Sequence, residues 1–179
     1  MEYYIAARFA LESHLTAVVG SLFHHSIECL LKGFLVNYHS LKELKNPDKF
    51  GHNLVALWNE FLKISGQDEL SYLRECVIHL NRFEGKNGIR YPVGEGGFDG
   101  IGIYISYFED LEGLQTISFP DAMKNEKDYL LLIARIDAVV ENIFSIGNWD
   151  VDKYFKEHFH TTRKLSHPIL FNEKEWYSE

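Results

Sequence analysis

Apolar residues recur three or four positions apart through the first 38 residues of the chain, and no proline interrupts them. This spacing places them on one helix face and predicts a long amphipathic helix over about 2–38. Gly20 and the stretch from Thr16 to Val19 are weak helix formers, so two helices could meet there. The predicted apolar face consists of Ile5, Phe9, Val19, Phe23, Ile27, Leu30, Phe34 and Tyr38.

The same periodicity predicts three more helices. One begins near Leu54 and ends at Gly66, and the next begins with Asp68 as its cap and ends near Gly85. The last runs from Asp121 or Asn125 to Ile146, with a wide apolar face suited to a central core helix. The apolar stripe of the first of these helices, the side chains on its buried face, consists of Leu54, Leu57, Trp58, Phe61 and Leu62. That of the second consists of Leu70, Leu73, Val77, Leu80 and Phe83.

The segment Gly85 to Gly102 holds seven of the 13 glycines, which predicts a looped path in place of a helix. After it, apolar residues alternate from Ile101 to Tyr107, and a turn-like stretch precedes Leu114 to Phe119. This pattern indicates a small β-hairpin. Loop and hairpin together form a predicted insertion of about 85–120.

A chain of 179 residues with 46% hydrophobic residues has the size and composition of one folded domain. We therefore predict a mainly α fold, an up-and-down bundle of four to five helices with a Gly-rich loop and a small β-hairpin insertion. The bundle should span residues 1–160, followed by a C-terminal tail or docking arm at 161–179. A leftover apolar bundle face makes a homodimer the expected assembly.

Composition excludes several classes of function. The net charge of -8 disfavours a broad nucleic-acid surface, so any contact with a nucleotide or RNA must be local. Cys29 and Cys76 lack metal-ligand spacing and lie among apolar residues, as buried free thiols do in a reducing cytoplasm. The N-terminus lacks signal-peptide features, and no apolar run is long enough to span a membrane. We expect a cytoplasmic protein that contacts no membrane and holds no metal and no cofactor.

Three short motifs could carry binding chemistry. His25, Glu28 and Lys32 share one helix face at offsets of three and seven, which suits a structural clamp or an anion contact. In the second motif, Gly51-His52-Asn53-Leu54, either His52 or Asn53 could cap a helix whose N-terminus favours an anion. The third is Arg90-Tyr91-Pro92, where Arg90 projects from a glycine-bounded turn.

In this order and spacing, the three motifs resemble the HEPN superfamily of nucleotide-binding helical domains. The resemblance covers about 4–92, and the helix near 125–146 would supply the last bundle element. It implies a helical bundle, frequently dimeric, of the kind found in toxin-antitoxin, defence and RNA-processing systems. The chain departs from the more usual Gly-His-Asp-Leu at Asn53.

Active members of that superfamily are metal-independent ribonucleases marked by an arginine, four to six intervening residues and a histidine. Histidine can take the proton of a ribose 2′-hydroxyl, while arginine stabilises charge on the phosphate. Arg8 with His14 and Arg74 with His79 have this spacing, but chance alone supplies about 0.9 matches. Family motifs lie near the last helix, where Arg135 has no following histidine. Of the two matches, Arg74 and His79 are the better pair, because we expect their side chains to be roughly adjacent on one helix.

We therefore predict a HEPN-like binding or interaction module without catalytic activity, which contacts a nucleotide, RNA or partner protein. Its ligand-binding residues would be His25, Glu28, Lys32, His52 and Arg90, clustered between the first two helices and the insertion. The alternative is a metal-independent endoribonuclease that uses Arg74 and His79. A third hypothesis is that the chain is a purely structural subunit, in which these polar residues pair with one another.

Overall fold

The structure, a computed structural model, describes residues 1–13, 15–83, 103–106 and 129–150. Arg90, the glycine-dense loop, the second strand of the predicted hairpin and the predicted tail at 161–179 lie outside the described residues. Within the described part the chain is a bundle of α-helices, as the apolar periodicity predicts. None of the helices in these ranges combines the length and apolar character needed to cross a membrane.

The first 35 residues form two helices, α1 (Glu2–Glu12) and α2 (Thr16–Leu35), which pack against each other as a hairpin. Tyr4 of α1 meets Phe23 of α2, with ring centroids 5.8 Å apart. The break precedes Thr16, so Gly20 lies inside α2. The predicted apolar face of α1 is wrong, since Phe9 is exposed while two alanines, Ala7 and Ala10, are buried. Small side chains at the contact allow two helices to approach closely, which periodicity of large residues does not show.

The short helix α3 (Leu41–Leu44) and α4 (Leu54–Ser65) have side-chain caps. Ser40 and Glu43 form a capping box around α3, and the Asn53 side chain accepts a hydrogen bond from the backbone of Ala56 in α4. Gly66 ends α4 with φ of 69°, a left-handed conformation that glycine adopts without steric cost. All five residues of the predicted α4 stripe are buried.

The third predicted helix is present in two parts, a 3-10 helix at Asp68–Leu73 and α5 (Arg74–Asn81). All five residues of its predicted stripe, the first of them Leu70 and the last Phe83, are buried. Asp68 is not the cap, because the residue in the capping position is Gln67 and no side chain there bonds to the helix backbone.

The last predicted helix starts later than expected, at Ile133, and α6 (Ile133–Ile146) follows a strand directly. That strand, β2 (Tyr129–Leu132), pairs in parallel with β1 (Ile103–Ser106). Because strand pairing takes up the backbone groups of Tyr129–Leu132, the helix cannot begin before Ile133. The first strand of the predicted hairpin is therefore present, but its described partner is a parallel strand beside α6, and parallel strands do not form a hairpin.

Two helices occupy the centre of the bundle. The longer, α2, packs against α1, α4, α5 and α6, and α6 is buried at every position from Ile133 to Val140. The prediction of α6 as a core helix is thus confirmed. Two charged side chains, Arg135 and Asp137, are buried within it.

Candidate functional site

A buried carboxylate on α2 organises the polar residues that the sequence singles out. Glu28 is only 3% exposed, and its Oε1 lies 2.6 Å from Lys32 Nζ. Lys32 follows one helical turn later, and this spacing brings side chains at the two positions together. The Lys32 side chain is 22% exposed, so Lys32 pairs with Glu28 while part of the side chain still reaches solvent.

Three histidines surround the other carboxylate oxygen, Glu28 Oε2. The Nδ1 atom of His52 lies 3.0 Å away and that of His25 lies 3.5 Å away. The third, His24, places Nε2 at 3.7 Å and is itself buried. Together, Glu28, Lys32, His24, His25 and His52 define what we call the Glu28 cluster.

The segment that carries His52 is held in place by its neighbours along the chain. Gly51 has φ of +47°, and a Cβ at this position would lie 2.8 Å from Pro47 Cα, so only glycine fits. Asn53 caps α4, and Asn81 from α5 accepts a second hydrogen bond, from the Leu54 amide, at 2.7 Å. Of the two candidate caps, the structure therefore selects Asn53. His52 is free to reach across to Glu28.

These two caps also change the expectation for an anion at the start of α4. The amides of Leu54 and Ala56 donate to Asn81 and Asn53, so these two donors are already taken. An anion in this region would instead meet the exposed edge of His52, whose side chain is 56% exposed.

The charges around Glu28 hold it ionised. Burial alone would raise the pKa of Glu28, but hydrogen bonds from Lys32 and His52, together with their charges, bring it below its ordinary value. An ionised carboxylate only accepts hydrogen bonds, so the bonded Nδ1 of His52 must carry a proton. The Nε2 atom of His52 is therefore the one available to a ligand.

The inner histidine has a structural role. Nδ1 of His24 lies 3.0 Å from the backbone oxygen of Leu80, which can only accept, so His24 donates through Nδ1 and ties α2 to α5. His24 is not among the ligand-binding residues predicted above. Offsets of four and three nevertheless bring both His24 and His25 to Glu28, a signal that could have identified it.

The outer edge of the cluster is completed by α1. The ring of Tyr3 contacts that of His25 edge to face, with centroids 4.4 Å apart and an angle of 82° between the planes. His25 is 32% exposed, so it lies between the buried carboxylate and solvent. Four of the five predicted ligand-binding residues are thus brought together, and the fifth, Arg90, lies outside the described residues.

The two residues of the alternative ribonuclease site are not brought together in the same way. Arg74 is exposed and donates from Nε to Oδ1 of Asn59 at 3.4 Å, whereas His79 is half-buried near Glu75 and Arg82. An offset of five turns side chains about 140° apart around a helix axis, so α5 does not place Arg74 and His79 on one face. The pair therefore faces two different environments.

A second buried polar group joins α1 to α6. The Tyr4 hydroxyl donates to Asp137 Oδ1 at 2.6 Å, and Arg8 donates to Oδ2 at 3.2 Å. Burial and the neighbouring Asp137 raise the pKa of Tyr4 well above its ordinary value, so the hydroxyl remains a donor. Because Asp137 is satisfied by residues of the chain itself, this group stabilises the fold.

The two cysteines differ in exposure. Cys76 is buried, which raises its pKa to about 12, whereas Cys29 is exposed, contrary to the prediction that both are buried. Cys29 follows Glu28 on α2 and lies on the solvent side of that helix. Burial of part of its side chain and the charge of Glu28 raise the pKa of Cys29, so neither thiol is activated as a nucleophile.

Comparison with protein-family models, with curated proteins and with solved structures found no match to this chain. Across the ranges described above, His, Cys, Asp and Glu form no group of three or more with the geometry to hold a metal ion.

Proposed function

We propose that this chain is a HEPN-like helical binding module and that its ligand carries a phosphate group, as a nucleotide or RNA does. The convergence of Lys32, His25 and His52 on the buried carboxylate of Glu28 is the observation that carries this proposal. Three residues that can bear positive charge reach solvent beside one another. Such a group suits an anion of small size.

Glu28 itself orients the donors and does not contact the ligand. Its carboxylate is enclosed by Lys32 and the three histidines, so a ligand meets their outer edges first. A local site also agrees with the charge of the chain, since a net charge of -8 opposes binding along an extended nucleic-acid surface.

The test is a binding titration with adenosine monophosphate and with a short single-stranded RNA. Lys32→Ala and His52→Ala should each weaken binding about tenfold, the effect of losing one charge-assisted hydrogen bond. Lys63→Ala and His39→Gln are matched controls, because Lys63 and His39 pair with Glu60 on a different part of the surface. Circular dichroism establishes that each variant is folded.

Two outcomes contradict the proposal. One is the absence of binding by the folded wild-type protein to either ligand. The other is an equal loss of affinity in the control variants and the Glu28-cluster variants, which would mean that the ligand binds by general charge.

A homodimer is part of the same proposal, since the resemblance implies one and apolar side chains lie exposed around the turn between α1 and α2. Phe9, Leu15 and Val18 are the large ones there. If a second copy covers them, Phe9→Glu and Val18→Glu should give a monomer in analytical ultracentrifugation. Tyr72→Ser, which removes an exposed ring from the 3-10 helix, should leave the mass unchanged. A wild-type monomer contradicts the dimer.

A further inference from the structure

We infer that binding of a phosphate group at the Glu28 cluster is coupled to proton uptake by His25 and His52. This inference rests on the proposed function and describes how the same site is regulated. It follows from the hydrogen bond that His52 donates to Glu28 and from the position of His25 beside the same carboxylate oxygen.

The Nδ1 atoms of both outer histidines lie against one oxygen of an ionised carboxylate, at 3.0 Å for His52 and 3.5 Å for His25. A neutral imidazole has one N–H, and at His52 the carboxylate takes that N–H at Nδ1. The outer Nε2 atom is then left with a lone pair, which repels an anion. Only the protonated ring can donate to Glu28 and to a phosphate oxygen at the same time.

The charge of the cluster leads to the same conclusion. While both outer rings are neutral, the negative charge of Glu28 is balanced by Lys32, so little net charge remains to attract an anion. Each protonated ring adds one positive charge at the exposed edge. The arriving anion therefore favours the protonated rings, and by linkage a lower pH favours the anion.

Other groups that face the cluster do not replace these two rings as the source of protons. His24 donates to Leu80 on α5 and is buried, so its ring does not reach an arriving anion, while the ring of Tyr3 on α1 packs edge to face with that of His25. Cys29 is beside Glu28, which with burial raises the pKa of its thiol, so it carries no negative charge at neutral pH. The amino group of Met1 lies near Cys29 and can also titrate, so the experiment must separate its contribution.

The test uses two probes that do not change their own charge between pH 6 and pH 8. They are sulfate and a short single-stranded RNA with hydroxyl ends, whose phosphodiesters titrate only in strong acid. Calorimetry at one pH, in two buffers of different ionisation enthalpy, measures the protons taken up on binding. The affinity of each probe is measured across the same pH range.

Binding of both probes should tighten as the pH falls from 8 to 6, by up to about tenfold per pH unit for each proton taken up. The double variant His25→Gln/His52→Gln should bind weakly at every pH with no uptake by these rings, while any uptake by Met1 would persist. His39→Gln should keep the wild-type pH dependence, because His39 is paired with Glu60 away from the cluster.

The failure of this inference differs from the failure of the proposed function. Binding of both probes with the same affinity at pH 6 and pH 8, without proton uptake, overturns the coupling and leaves the binding site in place. Proton uptake as large in the double variant as in the wild type also overturns it, because the two rings would then contribute nothing. Absence of binding by the folded wild-type protein at pH 6 overturns the binding site, and the coupling with it.

Discussion

Gly20 of α2 faces the ring of Phe83 so closely that a Cβ at position 20 would lie 2.0 Å from Phe83 Cε1. Phe83 is 1% exposed, so its ring is enclosed and has little room to move away. In the sequence this glycine looks like a weak point of the helix, whereas in the structure it is where the chain after α5 packs against α2.

The first prediction follows from this contact. Gly20→Ala should lower the free energy of unfolding by about 1–3 kcal/mol, the usual cost of overpacking a core. Helix propensity alone predicts the opposite, a gain of about 1 kcal/mol. Urea unfolding decides between them, and adding Phe83→Leu should recover part of the loss in a double-mutant cycle. A stabilised Gly20→Ala protein would show that the ring moves freely.

Tyr4→Phe removes the hydroxyl that donates to buried Asp137 at 2.6 Å. It should lower the free energy of unfolding by about 1–3 kcal/mol, because a buried charged acceptor loses a partner. Tyr3→Phe is the matched control, since Tyr3 is partly exposed and contacts His25 through its ring. Its effect should stay within about 0.5 kcal/mol. Equal effects in the two variants would contradict the buried hydrogen bond.

Glu28→Gln should change how the free energy of unfolding depends on pH. The folded-state pKa of Glu28 lies below its ordinary value of 4.5, because bonds from Lys32 and His52 outweigh the opposing effect of burial. As the pH falls below 4.5 the unfolded chain takes up the proton first, so this part of the stability is present above that pH and is lost below it. The stability difference between wild type and variant should therefore shrink in acid, as followed by urea midpoints. A constant difference would contradict the depressed pKa.

His79 should make the protein less stable in mild acid for a different reason. Burial, with the charge of Arg82, lowers the pKa of His79 below 6.5, although Glu75 acts in the opposite direction. The unfolded chain then binds the proton more readily as the pH falls through 6.5, so stability decreases over this range. Thermal unfolding of His79→Gln should show a flatter profile between pH 7 and pH 5. A profile as steep as that of wild type would contradict this assignment.

The alternative function gives a prediction about RNA cleavage. Total RNA and tRNA, incubated with the purified protein and a chelator, should show the same pattern with wild type, Arg74→Ala and His79→Ala, because the two side chains have different neighbours and lie on different faces of α5. Cleavage by wild type that disappears in both variants would establish the ribonuclease and show that the pair meets in a larger assembly.

Sequence periodicity predicted the helices whose buried faces consist of large apolar residues, such as α4 and α5. It failed for α1, where Ala7 and Ala10 form part of the contact and carry little hydropathic signal. It also failed at Tyr129–Leu132, because a short apolar run before a helix fits a strand or a helix equally well. Only pairing with Ile103–Ser106, distant along the chain, makes these residues a strand.

The candidate site was predictable to the extent that it is local. His25, Glu28 and Lys32 share one helix face, and helical offsets alone bring them together. The contact with His52 joins residues 24 positions apart, and the motif resemblance, not an offset, indicated it. Selection of Asn53 as the cap depended on the backbone conformation at the start of α4, which the sequence does not specify.

The bond between Tyr4 and Asp137 joins positions 133 residues apart. The hairpin of α1 and α2, by contrast, closes a short loop and can form early, since closing short loops costs little entropy. We therefore expect α6 to dock late, after the rate-limiting step of folding. A substitution at this bond should then speed unfolding and leave the folding rate nearly unchanged, so that the bond sets how long the folded state persists more than how quickly it is reached.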